Sequence, residues 1–537
     1  MKKSSVLFII TFINIAFGNV FVNAQYNNID TIAYKGDIDV YENTDLRDAI
    51  AALQVCAGLN PSSLKPVVFG RISIEEAIYI MQILAGIREP FVSLSVTAHP
   101  ENTLMATAHV ETLSEASVSV RFTSDSAGTH KTTASDTGTV HEITVRGMRA
   151  QTVYFMTAVA TLSDGTTVRS DSVPFTTGSI PVMIPEINVT ASTTDSEGGI
   201  TFFGTELGED SAPVKTYWGV DEQGEIVWYL HGDYQITGAP VARAVKPGVL
   251  MLFASNSLRI ITTACETIAE YSVGKFHHDA ILLPNGNTLS FSSDTMENSD
   301  GILLTGDIII EKDLTGKTVW RWSAFDHLDT TRLPGDISAS PGSDSGPLDW
   351  THSNSLFYVE DEDTIVVSVR SQSWIIKIDH ATGNILWIMG ESTGTAANYQ
   401  YNDKFFTLLS GTWMSNQHAT TVTASGEILM FDNRNNTGGP TAMSRAVKYS
   451  LDLSAMTANQ TWESIAPKYS GSLGDADELN GGNILYVAGG PGSAPDAHIV
   501  EAKSDASGDI VWSITVNTNV YRAERMSWNS FLSSVNQ

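Results

Sequence analysis

The stretch IDHATGNILWIM (residues 378–389) places a glycine four residues ahead of a tryptophan, a tight turn feeding a strand. The same spacing recurs in VDEQGEIVWYL (220–230), EKDLTGKTVWRW (311–322) and AKSDASGDIVWSI (502–514), so that Trp228, Trp320 and Trp512 join Trp387. MTANQTWES (456–464) supplies Trp462 without the glycine, and CETIAEYSV (265–273) sets Tyr271 at the equivalent place. Between them run LLPNGNTLSFSS (282–293), DEDTIVVSVRS (361–371), TASGEILMFDN (423–433) and LNGGNILYVAGG (479–490), each again a turn and then a strand. Repeats of roughly 40–50 residues with one aromatic per unit indicate a β-propeller. The aromatics at 228, 271, 320, 387, 462 and 512 predict six blades over 181–537, and long intervals such as 320–387 predict loop insertions.

Three histidine clusters share one slot of this repeat. FHHDA (276–280) precedes the LLPNGN turn, DWTHSNSL (349–356) precedes DEDT, and NQHAT (416–420) precedes TASG. Equivalent positions on different blades converge on the central channel, so His278, His352 and His418 are expected to face one another there. Arg370 follows one strand after His352, where a permanently charged guanidinium can hold an oxyanion. Several imidazoles, one guanidinium and little nearby carboxylate suit an anionic group such as sulfuryl or phosphoryl. A three-histidine zinc site is the competing reading, and the adjacent arginine would repel the dication. Asp279 reads either as an orienter of an imidazole or as a turn residue.

The segments FHHDAILLPNGN, DWTHSNSL, VVSVRSQSWIIKIDHATGNILWIMG, NQHATTVTASGEILMFDN, SRAVKYSLD and VYRAERM, in this order, resemble the bacterial arylsulfate sulfotransferase family over most of 181–537. The resemblance implies a six-bladed propeller, in agreement with the count above. It also implies ping-pong transfer of a sulfuryl group from an aryl sulfate to a phenol through a sulfurylated histidine, without a nucleotide sulfate donor or a catalytic cofactor. On the matching motifs the nucleophile falls on His418, and His278, His352 and Arg370 line the same pocket. Asn354 and His277 are weaker, substrate-contacting candidates. A nucleophilic imidazole must be neutral, so activity is expected to fall below about pH 6–7. Some family members carry a disulfide near the active site, whereas no cysteine lies within 400–440 here. Two rival readings remain. One is a quinone-dependent dehydrogenase, whose propeller normally has eight blades. The other is a non-enzymatic propeller for adhesion or carbohydrate binding.

The remainder of the 537-residue chain divides by pattern. Lys2 and Lys3 ahead of an apolar run, with VNA before Gln25, read as a cleaved signal peptide over 1–24 and a periplasmic or secreted protein; the other reading is a retained anchor. Residues 25–90 resemble a dockerin-like helical module. TDLRDAIAALQVCAGLNP (44–61) and ISIEEAIYIMQILAGIREP (72–90) each show an apolar face, Leu46, Ala49, Ile50 and Leu53 in one, Ile74, Ala77, Ile78, Met81 and Leu84 in the other. Asp37, Asp39 and Asp48 match calcium-ligand positions of the first loop, but Tyr41 interrupts the pattern, so calcium binding is expected to be weak if present. The second loop keeps only Gly70 and Glu76 of the pattern. Short alternating runs over 91–180 predict a fibronectin type III-like β-sandwich. Such a layout is compatible with a protein partner for the helical module and with a homo-oligomer. Cys56 and Cys265 are expected as two buried thiols. A net charge of −29 repels phosphate backbones and argues against nucleic-acid binding.

Overall fold

The structure, a computed structural model, describes residues 46–59, 61, 72, 74–84, 93–163, 165, 167–208, 214–231, 240–253, 256–274, 276–334, 346–435, 443–491 and 496–534. The segment 1–24 and residues Asp37, Asp39 and Gly70 lie outside the described residues. The chain divides into two units, 1–179 and 180–537.

In the first unit, helices α1 (Leu46–Cys56) and α2 (Ile74–Leu84) pack through Ala49, Ala51 and Ala52 against Ala77, Ile80 and Met81. The buried face of α1 is rotated from that expected, whereas α2 buries Ala77 and Met81 as expected, with Ile78 and Leu84 packed against them. Leu46 and Ile50 are 41% and 47% exposed, and the small Ala49, Ala51 and Ala52 take the buried face instead. Asp48 is buried in the first turn of α1. Seven antiparallel strands follow, organised on the long strand Ala106–Ser124. Its first half pairs with Leu94–Ala98 and Gly138–Val145, its second half with Gly128–Lys131 and Val153–Leu162. Cys56 is exposed at the end of α1, and Cys265 is half-buried in a turn where its N–H donates to Thr262 O (2.9 Å), so neither is the buried thiol expected.

The second unit is a six-bladed propeller, not the eight-bladed ring of quinone-dependent dehydrogenases. Blades 2, 3 and 4 have inner strands Ala242–Lys246, His277–Leu282 and Ser353–Val359. Those of blades 5 and 6 are His418–Val422 and Asp475–Glu478. Blade 1 takes its inner strand, Ala523–Met526, from the far end of the chain and pairs it with Ile200–Leu207. Ile187–Ser192 in turn completes the outer edge of blade 6 against Ile510–Val516. The ring is closed by both ends of this unit. Each blade is covered by neighbours on both faces, which is why second strands such as Thr364–Val369 and Ile484–Ala488 are buried at every residue and read as unbroken apolar runs.

The glycine-to-tryptophan spacing has a local cause. An aspartate caps the turn, as when Asp313 Oδ1 accepts from the backbone N–H of Thr315 (2.9 Å) and Lys317 (3.0 Å). The glycine supplies a left-handed residue, φ 74° at Gly383. The tryptophan then lies on the fourth strand from the channel, and its indole N–H can reach the equivalent turn of the next blade. Trp228 donates to Thr263 O (2.8 Å), Trp462 to Lys503 O (2.9 Å) and Trp512 to Glu222 O (2.9 Å). In blade 3 the stitch to Gly383 O (2.9 Å) is made by Trp322 rather than Trp320, which packs edge-on against His380. The long interval after blade 3 holds the helical turn Ala324–His327 and the short strand Leu348–Asp349, which pairs in parallel with Leu304–Thr305 and leads into His352. No helix among the described residues is long and apolar enough to cross a membrane.

Candidate active site

Blades 3, 4 and 5 begin their inner strands with a β-bulge, between His277 and Ala280, Ser353 and Ser355, and His418 and Thr421. A bulge interrupts the in–out alternation and re-aims the side chain beside it. His278 (φ 57°), His352 (φ 47°) and Ala419 (φ 51°) are all left-handed, a conformation that costs about 1–3 kcal/mol at a non-glycine residue. The strain is braced from blade to blade. Asp279, fully buried, accepts from the backbone N–H of Leu356 (2.8 Å), and Ser355 Oγ accepts from that of Thr420 (2.9 Å). Asn354 Nδ2 donates to Gln417 O (2.8 Å).

These strands bring the expected histidines together. The rings of His278 and His352 lie 4.6 Å apart between centroids, and His278 Nδ1 is 3.1 Å from Tyr521 Oη. The Tyr521 ring also meets His418 edge-on at 6.3 Å. His418 is 2% exposed, and its Nδ1 lies 2.7 Å from Asn433 Oδ1. His352 Nδ1 is hydrogen-bonded to the Asp349 carboxylate. Arg370, half-buried at the end of the second strand of blade 4, is near enough for its charge to act on His418. His277 turns elsewhere: it stacks on Phe291 and pairs with Asp307 at 3.3 Å.

Burial pushes His418 down to about 3; the Asn433 hydrogen bond resists, while Arg370, His352 and Arg522 add to the depression. Burial likewise lowers His278 to about 2, helped by the neighbouring imidazoles and Arg522. Both rings therefore keep their neutral form well below the usual histidine range. His277 goes the other way: burial would lower it, but the Asp307 carboxylate outweighs burial and leaves it raised. Beneath the histidines, Arg522 bonds to Asp279 Oδ2 (3.3 Å) and Asn354 O (2.8 Å), and Arg243 reaches Asp279 Oδ1 (3.3 Å). Asp279 is thus a brace between strands, its carboxylate taken up by Leu356, Arg522 and Arg243. Among the described residues no group of three or more His, Cys, Asp or Glu side chains is placed to hold a metal ion, so the zinc-cage reading finds no support in the geometry.

Tyr521, Arg522 and Asn433 were not singled out from sequence. The signal for the first two was available: VYR (520–522) precedes the closing inner strand of blade 1, the slot that FHH and TH occupy in blades 3 and 4. Asn433 lies after the second strand of blade 5, outside that slot.

The arylsulfotransferase (ASST) family model matches residues 186–526, nearly the whole propeller. The chain belongs to this family. Arylsulfotransferase membership supports an aryl sulfotransferase function generally and, with it, an aryl sulfate donor and a phenol acceptor. No curated protein matches the chain. Among solved structures, a protein of unknown function from Bacteroides caccae is similar at 13% identity and TM-score 0.35, over 60% of this chain and 97% of its own. The Pseudomonas aeruginosa periplasmic gluconolactonase is similar at 11% identity and TM-score 0.29, over 77% and 99%. Likeness at these TM-scores carries no argument about function.

Proposed function

We propose that this arylsulfotransferase moves a sulfuryl group from an aryl sulfate to a phenol by a ping-pong route, with His418 as the group that is transiently sulfurylated. The observation that carries the reading is a buried, neutral His418 with one ring nitrogen held by Asn433 and with Arg370, His278 and His352 around it. In the first half-reaction a His418 nitrogen forms a bond to sulfur as the bond from sulfur to the aryl oxygen breaks. The departing phenolate takes that electron pair and the Nε2 proton of a His352 imidazolium, whose Nδ1–H stays on the Asp349 carboxylate. In the second half-reaction the acceptor phenol returns a proton to His352 while its oxygen attacks sulfur and the nitrogen–sulfur bond breaks.

The transition state is loose, with negative charge on the peripheral and leaving oxygens. Arg370 and the neutral His278 face that charge, and groups fixed before the reaction cost no reorganisation during it. Aryl esters fit because a phenolate leaves far more easily than an alkoxide. The charged run at Lys2 and Lys3 and the apolar segment after it support an exported enzyme. The test is release of a chromogenic phenol from its sulfate ester. Added acceptor phenol should accelerate release and itself become sulfated. Release with no sulfated acceptor at any concentration would contradict transfer.

A further inference from the structure

Asn433 follows the second strand of blade 5, Ile428–Asp432, and is fully buried. Its Nδ2 donates to two backbone carbonyls, Ser470 O (2.7 Å) and Leu473 O (2.9 Å). A carbonyl oxygen can only accept, so the amide cannot be turned around without setting its own oxygen against both. Oδ1 is therefore the atom that meets His418 Nδ1 at 2.7 Å. An amide oxygen accepts and never donates, so the proton of that bond belongs to Nδ1. A neutral imidazole with Nδ1–H has its lone pair on Nε2.

We infer that Asn433 is a positioning residue that fixes the tautomer of His418, holding the proton on Nδ1 and presenting Nε2 as the atom that takes the sulfuryl group; this rests on the nucleophile role proposed above. When the Nε2–S bond forms and the S–O bond breaks, the ring becomes cationic without losing a proton. Nδ1–H stays on the amide oxygen, which becomes a better-matched partner as the ring gains charge, so no base is required on that side. A carboxylate at position 433 would hold the same proton but would also favour protonation of Nε2. The charged or titratable groups around His418 are Arg370, His352, His278, Arg522 and Tyr521, the last with its phenol pushed up to about 12 by burial. The adjacent Asp432 carboxylate is engaged elsewhere, by Ser415 N–H (2.9 Å) and by Arg445 Nε (2.9 Å).

The test uses the full chain carrying ring-15N histidine, with the His418 resonances assigned by their loss in His418→Gln. The expected spectrum shows a protonated Nδ1 and an unprotonated Nε2 in the resting enzyme, and a sulfuryl group on Nε2 after brief exposure to an aryl sulfate. A resting Nε2–H, or a sulfuryl group on Nδ1 of His418, would overturn the inference while leaving the nucleophile intact. A sulfuryl group on another histidine would remove the nucleophile reading and the inference with it. In Asn433→Asp a carboxylate raises the imidazole from about 3 by at most about three units, so the burst of phenol release is expected to fall about tenfold near pH 5 and to recover toward pH 7, as the raised imidazole loses its proton. An equal loss at every pH would reduce Asn433 to a structural residue and also overturn the inference.

Discussion

His418 works only with a free ring lone pair, and its surroundings keep that lone pair free. Protonation requires the pH to fall through about 3, because burial and the charge of Arg370 disfavour the imidazolium. The sign is therefore that of a base lost on acidification, but displaced far below the usual histidine range. The first half-reaction, read as the pre-steady-state burst of phenol, should not fall as the pH is lowered from about 7 to about 5. A burst that falls with a midpoint between about 6 and 7 would show an imidazole with an ordinary pKa instead. At this scale His278, His352 and His418 were legible because each stands ahead of a recognisable hairpin turn at the head of an inner strand, and Arg370 because it follows the next strand after His352. Their protonation was not legible, since burial depends on blades from distant parts of the chain. Asn433 was hidden for a related reason: its partners Ser470 and Leu473 belong to the approach to the next blade.

The inner strands are held in register by a buried ionic staple. Arg522, 2% exposed, spans the closing strand of blade 1 and the strands of blades 3 and 4 through Asp279 and the Asn354 carbonyl. Removing one partner of such a pair leaves an uncompensated charge, so Arg522→Ala should cost about 3–5 kcal/mol in stability, measured by denaturant unfolding. A loss below about 1 kcal/mol would mean that the staple behaves as an exposed ion pair. Elements were partly legible. The Asp–Gly–Trp turns announce an outer strand because each residue has a separate local duty, cap, left-handed turn and stitch. The buried face of α1 was misjudged, because apolar periodicity weights leucine and isoleucine while the packing selected alanine; that of α2 was legible at Ala77, Ile78, Met81 and Leu84.

Ring closure belongs to the molecule as a whole. Ile187–Ser192 and Ala523–Met526 both lie within 180–537, and so do all the residues of the candidate site. A 180–537 fragment should therefore fold and keep sulfuryl transfer, whereas a chain ending at residue 519 should lose both, because blade 1 lacks its inner strand and Tyr521 and Arg522 are gone. Inactivity of a folded 180–537 fragment would give the first unit a part in the chemistry. The blade count was legible because every blade repeats one aromatic position. The closing strand was not, since VYRAERM carries none of the glycine-to-tryptophan pattern.

The most direct test of the central claim is the intact mass of the protein after brief exposure to an aryl sulfate without acceptor. The wild-type protein is expected to gain one sulfuryl group, to lose it on addition of a phenol, and to show no gain in His418→Ala. A sulfuryl adduct of equal yield in His418→Ala, or full transfer activity in that variant, would contradict the account.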